Sequence, residues 1–69
     1  SKMIKEKYIE FKGALANKDI EKAQEAFTTA YNKAIEILNQ KITSKEMFDI
    51  NNENELYAVL VIFDNMLGF

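Results

Sequence analysis

The chain has 69 residues, with nine lysines and no arginine against eleven acidic residues, for a formal net charge of −2. Cysteine and histidine are both absent, which excludes disulfide staples, thiol or imidazole metal ligands, and the Ser-His or Cys-His pairs of nucleophilic catalysis. A single domain of this size, residues 1–69, buries only about 60% of its unfolded surface, so self-association is the remaining expected source of added stability.

Charge is unevenly placed. Residues 1–45 carry all nine lysines and six acids, whereas residues 46–69 carry five acids and no lysine. Arginine is the usual bidentate reader of phosphate and guanine, and lysines interspersed with acids make no basic stripe. A nucleic-acid-associated role through the Lys-bearing N-terminal half is therefore the weaker of two functional expectations. The longest uncharged apolar run is eight residues, far short of the ~20 a membrane-spanning helix requires. With no secretory pattern at the start of the sequence, a cytoplasmic location is the default expectation. Abundant Lys, Asn and Ile without Arg or Pro fits an AT-rich coding genome, such as that of a low-GC bacterium or phage.

Residues 2–16 place Ile4, Tyr8, Phe11 and Leu15 on one side of a helical wheel, with Lys5, Glu6, Glu10 and Lys12 on the remainder. Gly13 inside this pattern costs about 1 kcal/mol relative to Ala, a cost tolerated where helices approach closely. Asn17 and Asp19 then offer N-caps. A second helix is expected over 18–41, its stripe running through Ile20, Ala23, Phe27, Ala30, Tyr31, Ala34 and Leu38. Glu21 and Glu25 suit its N-terminal end and Lys41 its C-terminal end. So short a link between the two helices predicts an antiparallel hairpin.

Within the second helix, Ala23, Phe27 and Ala30 have the small-large-small spacing that resembles the second helix of a tetratricopeptide repeat. The likeness covers twelve residues, 19–30. The preceding helix lacks the repeat's Trp, Leu, Gly and Tyr pattern, no Pro closes the unit and no second copy follows, so no family is assigned on it.

Thr43 and Glu46 have the spacing of a capping box and predict a short helical turn over 44–49, which Met47, Phe48 and Ile50 would pack beneath the bundle. Asn52 and Glu55 repeat the box and open a last helix over 53–67, with Gly68 placed for a left-handed C-cap. Tyr57, Val59, Val61, Ile62 and Phe63 also favour a strand, but nothing else in the chain could pair with it, and the flanking caps bracket a helix. Asp49, Asn51, Glu53 and Glu55 alternate like the first half of a calcium-binding EF-hand loop. Asn54 holds the Gly position and Leu60 the closing Glu position, so capping is the expected role. With two glycines in all, the chain has no Gly-rich phosphate loop. No catalytic residue, metal or cofactor is expected.

The last helix has more apolar surface than one face can hold. Leu56, Val59, Leu60, Phe63, Met66 and Leu67 fill one arc, which is expected to face the hairpin. Tyr57, Ala58, Val61, Ile62 and the terminal Phe69 are then the expected interface. The sequence thus predicts an all-α, three-to-four-helix bundle. Its expected role is non-catalytic, as a small interaction or regulatory module that forms a homodimer or binds a protein partner through its C-terminal helix.

Overall fold

The computed structural model describes residues 2–68. Three helices form the chain, α1 (Met3–Ala16), α2 (Ile20–Ser44) and α3 (Glu53–Met66), and no strand occurs among the described residues. The 25 residues of α2 span about 37 Å at 1.5 Å per residue, which accounts for the 39 Å length of the molecule. The two shorter helices pack side by side against this spine. Lys5 pairs with Glu53 near the start of both, so α1 and α3 run parallel to each other and antiparallel to α2. No helix among the described residues is long and apolar enough to cross a membrane.

Both long-helix boundaries use one device. After α1 the chain reverses at Lys18, which adopts φ 61°. The Lys18 amide donates to the Leu15 carbonyl at 3.0 Å and the Asp19 amide to the Ala14 carbonyl at 2.9 Å, the paired bonds of a Schellman motif. Asp19, rather than Asn17, then caps α2 by accepting from the Lys22 amide at 3.2 Å. The far end of α2 repeats the motif at Lys45, φ 57°, with the Glu46 amide donating to the Lys41 carbonyl at 2.9 Å.

The expected helical turn over 44–49 does not form. Thr43 and Ser44 belong to α2, three residues beyond its expected end, so Thr43 is already helical and cannot serve as an N-cap. The Ser44 hydroxyl lies between the Gln40 carbonyl oxygen at 2.9 Å and the Glu46 carboxylate at 2.7 Å. The second box is only half as expected. Asn52 caps α3 by accepting from the Glu55 amide at 3.2 Å. Glu55 reaches past Asn52 to accept from the Asp49 amide at 2.8 Å. Asp49 in turn accepts from the Asn51 amide at 3.0 Å, so the acidic connector's oxygens hold backbone donors. Beyond α3, Gly68 takes φ 105°, a conformation that glycine adopts without strain.

The core is made of small side chains. Among the described residues ten are buried, and six of them are alanines: 14, 23, 26, 30, 34 and 58. Alanine seams let helix backbones approach closely, at the expense of the apolar volume that stabilises a core. The larger members are Ile4, Phe11, Phe27 and Val61. A chain of ring contacts crosses the bundle from Tyr57 to Tyr8 (5.7 Å between centroids), Phe11 (5.9 Å), Phe27 (4.9 Å) and Tyr31 (6.3 Å). Each pair of this kind adds about 0.5–1.5 kcal/mol beyond its burial.

The structure inverts the expected faces of α3. Ala58 and Val61 are fully buried in the chain's own core and are not free for an outer interface, while Tyr57 and Ile62 are half-buried against that core. Phe69 lies outside the described residues. The arc assigned to the core points outward instead. Alanine lining on α2 admits Ala58 and Val61 where Leu or Phe would force the helices apart. The acids flanking that small-residue strip also need partners on the neighbouring helices, which fixes the roll of α3.

Candidate interaction surface on the third helix

Three polar contacts hold α3 in its roll. Glu53 pairs with Lys5 of α1, the Tyr8 hydroxyl of α1 donates to Asp64 at 2.7 Å, and Glu55 meets Lys41 of α2 at 3.1 Å. On a helical wheel Glu53 and Asp64 fall at one edge of the Ala58–Val61 strip and Glu55 at the other. Every acid of α3 is therefore engaged by the rest of the chain.

These contacts set the electrostatics of the helix. The Glu53 carboxyl is held below the usual carboxylate range chiefly by its hydrogen bond with Lys5, whose own pKa is raised by the same bond. The Glu55 carboxyl is lowered first by the Asp49 amide and then by Lys41. Tyr8 is pushed up to about 12, by burial first and then by its hydrogen bond to Asp64. All three carboxylates act as fasteners at the margins of the outward arc.

What faces outward is uniformly apolar. Leu60, Phe63, Met66 and Leu67 are exposed by 37, 55, 72 and 80%, with Leu56 and Val59 half-buried beside them. Leu56, Leu60, Phe63 and Leu67 recur at spacings of four, three and four residues, the heptad seam of a helix that packs against another helix. Next to the seam lies an apolar recess of about 190 Å³, lined by Leu38, Phe48, Val59, Ile62 and Phe63. Phe48 brings the connector to this surface, while Met47 and Ile50 on the same connector are exposed.

A second, larger groove of about 380 Å³ opens between the helices, where Phe11, Phe27 and Tyr31 meet Ile20 and Asn65. Its volume is that of a small-molecule site, but Gln24, Thr28 and Asn65 are its only side chains with strong hydrogen-bonding groups besides Tyr31. No group of three or more His, Cys, Asp or Glu side chains among the described residues is placed to hold a metal ion. The seam was legible in the sequence as an apolar arc, but its direction was not. The signal that could have fixed it was the placement of Glu53 and Asp64 at one edge of the Ala58–Val61 strip and Glu55 at the other, facing lysines and a tyrosine.

Comparisons with protein-family profiles, with curated proteins and with solved structures found no match for this chain.

Proposed function

We propose that the chain is a non-catalytic interaction module whose working surface is the outward face of α3, comprising Leu56, Val59, Leu60, Phe63, Met66 and Leu67. The observation that supports this reading is the coexistence of an alanine-rich core with a continuous apolar arc left in water. Isolated surface hydrophobics are ordinary, whereas a contiguous patch of a few hundred Å², the size of the largest on a typical monomer, is often functional. Each large side chain moved from water into a packed contact contributes about 1.5–3 kcal/mol, a substantial fraction of the stability of so small a domain.

The same six residues were expected to build the core, and the association expected of the C-terminal helix is now assigned to them. Ala58 and Val61 serve the proposed surface from beneath by seating the helix, with Tyr57 half-buried against the core and Ile62 lining the recess beside the seam.

Hydroxyl-radical footprinting tests the assignment. In dilute chain, Met66 and Phe63 are expected to be oxidised readily and Val61 to be protected. Raising the concentration or adding the native partner should protect Met66 and Phe63 while leaving oxidation of exposed Met47 as a reference. Protection of Met66 and Phe63 already in the dilute monomer would contradict the reading.

A further inference from the structure

Building on the proposed surface, we infer that its occupant is a second copy of this chain, and that two α3 helices pack antiparallel about a two-fold axis between residues 61 and 62. Leu56 of each copy then meets Leu67 of the other, and Leu60 meets Phe63, the pairing that antiparallel heptad seams require. Four features of the surface point to a like partner.

The first is self-complementarity. An isologous contact uses one surface twice, so projections and recesses must share that surface. Here exposed Met66 projects beside a recess lined by Leu38, Phe48, Val59, Ile62 and the half-exposed Phe63.

The second is the flanking chemistry. Heteromeric helix pairs are selected by charged residues beside the seam. One flank here carries Val59 and Met66. On the other, Tyr57 packs toward the core and Asp64 is engaged by Tyr8. The charge beside the seam, Asp64, is held by the chain's own Tyr8 and α3 has no base to select a different partner, while the apolar flank widens a contact between like surfaces.

Direction follows from charge. The N-terminal turn of α3 carries Glu53 and Glu55, and the helix has no base. A parallel pair would bring like acids and like helix ends together, whereas an antiparallel pair separates the acids and sets opposite ends of the helix dipoles side by side.

Area is the fourth feature. The exposed parts of the six side chains amount to roughly 500 Å² per copy, so a symmetric contact buries on the order of 1,000 Å², the lower bound of specific interfaces. A dissociation constant in the micromolar range is the corresponding expectation.

The cysteine-free sequence makes the geometry directly testable by disulfide trapping. Leu56→Cys and Leu67→Cys variants, mixed at about 100 µM and mildly oxidised, are expected to give the mixed dimer, with little cross-linking in either variant alone. Sedimentation equilibrium of the unmodified chain from about 1 to 200 µM should show a monomer–dimer equilibrium, weakened about 100-fold or more by Phe63→Lys without loss of helical circular dichroism. Preferential self-linking of Leu56→Cys would overturn the antiparallel arrangement. A monomer at 200 µM whose Phe63 and Met66 are open to a soluble nitroxide in NMR would overturn the second-copy inference and leave the interaction surface standing. A monomer in which those residues are shielded would overturn both.

Discussion

Lys18 and Lys45 hold the left-handed positions that end α1 and α2, at φ 61° and 57°. An L-residue with a Cβ is disfavoured there by about 1–2 kcal/mol, and glycine escapes that cost while losing more backbone entropy on folding. Lys45→Gly is therefore expected to stabilise the chain by about 0.5–1 kcal/mol in urea unfolding, and Lys18→Gly by a similar amount. A loss of stability in both would show that the lysine side chains contribute more than their backbone strain costs. Neither boundary was legible in detail, because lysine is a poor indicator of a positive φ. Gly68, the residue type that does indicate one, was read correctly as the left-handed position beyond α3.

Also at the residue scale, the fasteners of α3 make stability depend on pH at both ends of the range. Glu53 and Glu55 have lowered folded-state pKa values, owing to Lys5 and to the Asp49 amide respectively. Their contribution is fully present above the unfolded carboxylate value of about 4.3 and is lost as pH falls through the folded values. Tyr8 is raised, so its contribution is full below about pH 10 and is lost as pH rises from there through about 12. Unfolding midpoints measured between pH 3 and pH 7 should fall on acidification, and Glu55→Gln should flatten that slope. An unchanged slope would remove Glu55 from the account.

At the scale of elements, α3 shows why apolar patterning alone did not orient a helix. Its apolar positions extend around most of the wheel, and reading by side-chain volume sends Leu56, Leu60, Phe63 and Leu67 inward. The alanines of α2 accept only small neighbours, and Lys5, Tyr8 and Lys41 draw Glu53, Asp64 and Glu55 toward them. The stripes of α1 and α2 were easier to orient because each has a single apolar face: Ile4 and Phe11, and Ala23, Phe27, Ala30 and Ala34, are buried as expected, Tyr8, Leu15, Tyr31 and Leu38 are half-buried, and Ile20, at the first turn of α2, is exposed instead. The expected turn at 44–49 failed because helix propensity carries α2 through Thr43 before its cap could act. Two substitutions separate the faces. Val61→Ala, in the core, should cost about 1.5–3 kcal/mol, while Leu67→Lys, at an 80% exposed position, should leave the monomer's stability within about 0.5 kcal/mol. The reverse order in chemical denaturation of dilute protein would contradict the observed roll of α3.

At the scale of the molecule, 14-, 25- and 14-residue helices enclose a core in which alanine predominates, and Phe63, Met66, Leu67, Met47, Ile50 and Ile42 remain largely in water. The fold class was legible from periodicity and from the absence of any second strand-like segment. The charge imbalance between the two ends of the sequence, by contrast, is offset in part inside one copy, where Lys5 and Lys41 from the basic portion pair with Glu53 and Glu55 from the acidic one. What stays unsatisfied is apolar surface, which is why association through α3 is the proposed role.

Thermal unfolding as a function of protein concentration tests this most directly, because binding between folded copies raises the midpoint by mass action. Between about 2 and 200 µM the midpoint of the unmodified chain is predicted to rise by roughly 5 °C or more, and that of Phe63→Lys to stay constant. A midpoint independent of concentration in the unmodified chain, with a monomeric mass throughout, would contradict self-association through the outward face of α3.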